Sequence, residues 1–338
     1  MVLHSLFYLT PPQPLPCVPA VRDFYAWVRQ LSSKDENAEI LSASLTRATE
    51  DGGRIVRTYE YLLIFIAFAR NSLIRDMTFR SNFILDCISS LSWLLMNLGF
   101  YLIVFHHVES IGLNTGWGRN EFFVFLATTW LINSLIQAFL MPNAQEFSEL
   151  IRTGGLDFAL LKPIDTQFLV SFRKVEWSAL SNFLFGAVIL IYALMQLSNR
   201  TEPPWSLQPH IVGLYVLYIG CGVVLLYSLM ICLAATSIWL GRNQSLYDFW
   251  FYITNFSRYP ADIYQGGWGL PLWYLFTFLV PVLVVVNVPA RLLAQPLVPT
   301  QNWEWGLALF SLAATVFSLF FSRFVFLRAL RSYASASS

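Results

Sequence analysis

The sequence predicts an all-α membrane protein with six transmembrane helices, an N-terminal interfacial amphipathic helix and a cytoplasmic helical element between spans 2 and 3. Three observations carry that prediction. Hydrophobic residues make up 56% of the 338, while charged residues make up only 12%, about half the charged share of a soluble domain. Six long windows contain no Asp, Glu, Lys or Arg. Lysine and arginine gather on alternate connections between those windows.

The uncharged windows are 87–107, 122–145, 177–199, 203–241, 263–290 and 305–322. A helix crosses the hydrocarbon core with about 20 apolar residues, and about 17 suffice. The spans are therefore placed at 84–107, 121–143, 177–198, 211–240, 269–290 and 304–323, within a membrane domain covering 57–331. The two longest windows exceed one span, so part of each is loop, tilt or interfacial structure.

Orientation follows from the basic residues. Arg54, Arg57, Arg70, Arg75 and Arg80 precede span one, and Arg152, Lys162, Arg173 and Lys174 lie between spans two and three. The same side takes Arg242 and Arg258 between spans four and five, and Arg323, Arg328 and Arg331 after span six. The other side carries Arg119, Arg200 and Arg291. Both termini are expected in the cytoplasm.

Residues 1–56 differ in kind. Pro11, Pro12, Pro14, Pro16 and Pro19 preclude early regular structure, and a polar, Ser-rich piece covers 32–53. MVLHSLFYL has an apolar signal-like core without a basic leader or a small-residue cleavage site. The segment reads as a flexible N-terminal extension or an overlong gene start. Residues 332–338 form a short tail.

In RTYEYLLIFIAFARNSLIRDMTFR, residues 57–80, Leu62, Ile66, Ala69, Leu73 and Met77 recur at helical spacing and make one apolar face. Arg70, Arg75, Asp76 and Arg80 lie off that face. The uninterrupted apolar part, 61–69, is too short to span, which suits an amphipathic helix in the membrane interface. The alternative is a cytoplasmic extension of span one. Span five carries Pro271, Pro281 and Pro289, and internal prolines free backbone carbonyls and permit kinked or broken segments. The aromatic run YDFWFYITNFSRY around Asp248 just before it suits the membrane–water boundary.

Several chemistries lack a sequence signal. The uncharged windows offer Asn97, Asn133, Gln137 and Asn182 as polar groups but no carboxylate, the usual mark of proton or sodium coupling. Walker A, G-x-G-x-x-G, H-E-x-x-H and G-x-S-x-G patterns are absent from the sequence. Cys17, Cys87, Cys221 and Cys232 form no C-x-x-C pair, and adjacent His106 and His107 project to different sides of a helix. No metal ligand set and no catalytic residue is assigned. A net charge of +1 gives no basic field for nucleic acid. Asn199-Arg200-Thr201 matches a glycosylation sequon, a pattern common by chance.

The interruption ELIRTGGLDFALLKPIDTQFL, residues 149–169, is the most patterned polar stretch. Phe147, Leu150 and Ile151 make one apolar face, with Glu146, Glu149 and Arg152 opposite. Gly154-Gly155 stops that helix, because glycine tolerates the left-handed cap conformation. LDFALL forms a second short segment ended by Pro163, and Asp165 is placed to N-cap a helix running through Arg173 into span three. The element either only reverses the chain or docks a soluble partner.

SELIRTGGLDFALLKPIDTQFLVSFR resembles the signature of bacterial ABC-2-type permeases, in the subgroup formerly a domain of unknown function. RNSLIRDMTFRSNF (70–83), WGRNEFFVFLATTWLINSL (117–135) and SRYPADIYQGG (257–267) support the likeness, which covers about 57–331. The resemblance implies a permease subunit of an ATP-driven exporter in the bacterial inner membrane, with six helices per subunit. It also implies a second permease, identical or paralogous, and a separate ABC ATPase dimer that holds ATP and Mg, with no cofactor on this chain. By the same likeness the element between spans 2 and 3 is a cytoplasmic coupling helix, with Glu146, Glu149, Arg152, Gly154, Gly155, Asp157, Lys162 and Pro163 in the coupling region. Re-entrant structure is implied between spans five and six, where 281–299 is proline-rich. No substrate-binding residue carries over. The aromatic spans favour a lipid-like or amphipathic cargo. The alternatives are a membrane-embedded lipid-modifying enzyme, for which His106, His107, Glu109 and Asn114 are the candidates, and a non-transporting scaffold.

Overall fold

The computed structural model describes residues 58–111, 116–162, 164–199, 208–240, 245–295 and 302–333. The extension 1–56, Asn114, Pro163, and Arg200 and Thr201 of the sequon lie outside the described residues. Among the described residues, five helical stretches are long and apolar enough to cross a membrane: Arg80–His107, Arg119–Arg152, Trp177–Ser198, Pro209–Trp239 and Trp305–Ser332. They coincide with expected spans one to four and six.

Helix α1 (Thr58–Thr78) leads to α2 (Arg80–His107), and α3 (Arg119–Phe139) is the centre of the bundle. Every residue from Glu121 to Ile132 is buried. The α3 hydroxyls are satisfied locally: Thr128 and Thr129 donate to the carbonyls of Val124 and Phe125, at 2.7 and 2.9 Å. Back-bonding to the preceding turn lets such residues enter an apolar layer without an orphaned donor. Thr128 also pairs with the Tyr215 hydroxyl at 2.9 Å, tying α3 to α8 (Pro209–Leu240). Helix α7 (Leu180–Ser198) packs along α3, and α12 (Asn302–Ser332) packs along α8. Helix α2 stands apart, burying only Leu94 and Tyr101 and exposing Ile84, Ile88, Trp93, Met96 and Ile103. In a membrane chain such a face meets hydrocarbon or another subunit.

Expected span five is reshaped. Residues Gly267–Leu279 and Val282–Ala294 are two limbs bent by 88° about Val280 and Pro281. The first limb comprises α10 (Leu270–Tyr274) and a π-helical turn over Leu275–Leu279, in which Val280 N–H donates to the Leu275 carbonyl at 2.9 Å. Pro281 cannot supply the next donor, so the turn ends there. The second limb, α11 (Val282–Ala294), is buried along its length against α3 and α8. Within α11, Pro289 deprives the Val285 carbonyl of its usual donor four residues on. At that point α8 has Gly222, where a Cβ would sit 3.0 Å from the Val285 oxygen. Glycine is what allows the two backbones to meet.

The two limbs begin and end at the same end of the bundle. Arg291, near the close of α11, donates to Asp262, just before the first limb, at 2.5 Å. Trp117, at the entrance to α3, donates through Nε1 to the other Asp262 oxygen at 2.8 Å. The ion pair thus holds the chain just before the first limb against the close of the second, across the 88° bend. Beside the break Phe276, Thr277, Val282 and Leu283 are buried, whereas Phe278 and Leu279 at the break are exposed.

Helix α9 (Ser245–Asn255) then occupies the place that the hydropathy reading gave to a loop. Trp250 shares a small cavity with Ser148 and Ser237 near the end of the bundle that carries residues 140–176, here termed the basic end. Arg258 and Tyr259, beyond the other end of α9, sit beside Tyr101 in the last turns of α2, towards the opposite, far end. Arg258 therefore belongs with Arg119 and Arg291, not with the basic set in which the charge pattern placed it. Its guanidinium lies over the Phe251 ring, 5.3 Å from the centroid.

Helix α1 differs from expectation in the face it uses. Glu60, Ile64, Phe68 and Ser72 are buried, whereas Leu62 and Ile66 of the expected apolar face are 59% and 52% exposed. Periodicity identifies an apolar stripe, but a helix beside a membrane has two apolar surroundings to meet.

Candidate functional site

The interruption between α3 and α7 folds into three short helices at the basic end: α4 (Met141–Arg152), α5 (Gly155–Leu160) and α6 (Thr166–Phe172). Helix α4 is almost continuous with α3, separated by Leu140 and started by Pro142. Pro fits the first helical turn because its missing N–H has no intrahelical partner there. Thr153 caps α4, its hydroxyl donating to the Glu149 carbonyl at 2.9 Å. Gly154 follows with φ +72°, as the turn chemistry requires. Gly155 serves differently: a Cβ there would lie 2.8 Å from Leu150 Cδ2, so its bare Cα admits the close return of α5 over α4.

Asp165 caps α6 as the spacing indicates, accepting from Phe168 N–H at 3.0 Å. The helix stops at Phe172, however, and the chain turns over 173–176 before α7. That turn is held by its own set of bonds. Asn143 of α4 accepts from Lys174 N–H at 2.8 Å and donates to the Lys174 and Phe139 carbonyls at 2.7 and 2.8 Å. Glu146 faces Lys174 Nζ at 3.1 Å and Arg173 at 3.5 Å, so it braces the turn from a side chain only 19% exposed. Helix α1 joins the same body: Trp177 Nε1 donates to the Ala69 carbonyl at 3.0 Å, and Val175 N–H to Ser72 Oγ at 3.1 Å.

The assembly is tied to the long helices by polar bonds. Arg323 of α12 donates to Asp165 at 3.1 and 2.5 Å and to Gln167 Oε1 at 3.0 Å. Gln167 Nε2 donates to the Tyr227 hydroxyl of α8 at 3.0 Å, and Ser171 Oγ pairs with the same hydroxyl at 3.0 Å. Ser148 of α4 meets Ser237 of α8 at 3.2 Å. An apolar core of Ile64, Phe68, Phe147, Leu156, Leu169 and Phe326 fills the space between them. Helices α1, α4, α5, α6, α8 and α12 thus meet in one packed unit.

The sequence-derived residues separate into two groups. Glu146 is internal, and Gly154 and Gly155 shape the turn. Glu149 and Arg152 pair with each other on the surface, with Arg152 Nε donating to Glu149 at 2.9 Å. Asp157 is half-buried in the first turn of α5, and Lys162 lines a cavity described below. Pro163 lies outside the described residues. On α1 and α2, Arg70, Arg75 and Arg80 are exposed. Sequence reasoning missed Asn143, Gln167, Tyr227 and the bonding role of Arg323. A lone arginine closing the last apolar window was the one available signal.

Five long apolar helices and one apolar pair bent at a break, among the described residues, define a multi-pass membrane protein. A model of the family described as ABC-2 family transporter protein matches residues 91–337, and the chain belongs to that family. Membership carries a permease role and association with an ABC ATPase. The match takes in the whole site except α1. Comparison with curated proteins and with solved structures gave no match.

Proposed function

We propose that the chain is the permease subunit of an ATP-driven exporter of the bacterial inner membrane, with the basic-end assembly as its coupling element. The supporting observation is mechanical. The α4–α6 element is fastened to α8 through Tyr227 and to α12 through Arg323, so a push on it is delivered to two long helices. On this reading the basic end and both termini are cytoplasmic, and α1 lies in the cytoplasmic interface with Leu62 and Ile66 towards lipid. ATP and Mg act on a separate ATPase dimer, whose closure displaces the coupling element and opens the cavity between this subunit and a second permease, identical or paralogous. One ligand-driven closure then selects between two packings of the spans. The cargo class that the aromatic spans suit is lipid-like or amphipathic, and the chain itself performs transport, not catalysis.

Two experiments test this. The tagged chain purified from its own cells is expected to bring a Walker-motif ATPase whose hydrolysis rises in its presence. Removal of Gly154 and Gly155 should abolish that stimulation while leaving the chain in the membrane, and full stimulation by the deletion variant would refute the coupling role. For orientation, a cysteine at Thr153, an exposed position, should resist impermeant reagents added outside intact cells. Ready labelling from outside would reverse the topology.

A further inference from the structure

The basic-end assembly borders an open cavity of about 230 Å³ between α4, α5 and α6. Leu150, Phe158 and Leu169 supply apolar wall, and Glu146, Lys162 and Arg173 supply its charge. Two cations thus face one carboxylate, and the Glu146 oxygens already face Arg173 and Lys174. Burial and the neighbouring Arg173 charge push the Lys162 amine below its ordinary value. Beside it, Phe158 is 73% exposed and Leu161 59% exposed. Large apolar side chains set next to such charges mark a contact surface. The Glu149–Arg152 pair, one helical turn away on α4, is open to solvent, so this face of the assembly meets water or protein.

We propose that this cavity is a socket for an acidic side chain of the ATPase, with Lys162 and Arg173 receiving the carboxylate and Phe158 and Leu161 packing on apolar residues beside it. Charge-assisted hydrogen bonds to two cations offset the dehydration of the carboxylate, and the apolar rim excludes water from them. The proposal rests on the coupling reading above and makes it specific: the grip is electrostatic and centred on Lys162, while Glu146 braces the socket from within.

The test uses the full-length chain in detergent micelles with the ATPase that co-purifies with it, once that ATPase is purified. Lys162→Glu should weaken binding roughly tenfold or more, Lys162→Gln by less, and Lys162→Arg should retain it. Wild-type binding should weaken between about 0.1 and 1 M salt, and the Lys162→Gln complex should respond less steeply. Elution and thermal unfolding of each variant without ATPase establish that the chain is folded. A photo-crosslinker at Phe158 should join an ATPase peptide containing Asp or Glu, and reversing that acid to Lys should restore binding to Lys162→Glu. Wild-type affinity and salt response in Lys162→Glu would overturn the socket while leaving the coupling reading intact. So would unchanged ATPase binding with loss of co-purifying anionic phospholipid, which would assign the cavity to a headgroup. A wild-type chain that binds no ATPase at any salt would remove both readings.

Discussion

Arg291→Met is expected to destabilise the protein by about 3–5 kcal/mol, the usual cost of stranding one member of a buried ion pair. Arg291 and Asp262 side chains are 19% and 11% exposed, and Asp262 also accepts from Trp117 at 2.8 Å. Deleting the guanidinium leaves a carboxylate in a nearly dry site with one indole donor. Adding Asp262→Asn should recover much of the loss, because the stranded charge disappears while the Trp117 bond can persist. Thermal unfolding in detergent micelles measures both variants. A single variant as stable as the wild type would show that the pair does not hold the two limbs together. The clasp joins residues 145 and 29 positions apart, so its loss should open the far end selectively, and hydrogen exchange over 261–294 should rise there before it rises in α8.

Arg323→Met carries the second large effect, and it is functional. The Arg323 and Asp165 side chains are 43% and 32% exposed, so solvent screening reduces what the pair adds to stability, and the loss should stay near 1 kcal/mol or below. Coupling depends on geometry. Without Arg323, α6 keeps its Asp165 cap and its Tyr227 bonds but loses its bonds to α12. Stimulated transport should fall about tenfold, within the ~1–3 kcal/mol typical of site-to-site coupling. ATPase binding should persist, since the docking surface is untouched. Transport in reconstituted vesicles, set against ATP consumed, gives the coupling ratio. An unchanged ratio would show that α12 receives no motion through Asp165.

These two expectations concern opposite ends, and they were unequally legible in the sequence. At the basic end the local chemistry was readable. Gly154 takes the left-handed φ that a helix stop needs, Asp165 caps the helix three residues before Phe168, and Phe147 with Leu150 faces the core. Each of those features is decided within one or two turns of chain. The brace from Glu146 to Arg173 and Lys174 was not readable, because alternation of charged and apolar residues says which face is polar without saying what that face meets.

At the far end nearly everything depends on distant partners. A hydropathy window over 263–290 records enough apolar residues to span, and length and composition are all it records. Direction is decided by Pro281 and the π-turn before it, which bend the segment, and by Asp262, which pairs with Arg291 to bring its ends together. Arg258 lies at the far end, beside Tyr101, a reversal of the side expected for it. The charge count, built on evenly alternating spans, had no means of registering that reversal.

By itself, then, the sequence determined the helical membrane class, five of its long helices, and the caps and glycine turn of the basic-end element, since those follow from composition and from interactions within a few residues. The tertiary structure alone decided the angle of the break in 267–294 and the clasp across it, the packing face of α1, and the fastening of α6 to Tyr227 and Arg323. Those outcomes turn on which polar groups find one another across 29 to 158 positions, and in an apolar medium an unpaired polar group is costly enough to redirect the chain around it.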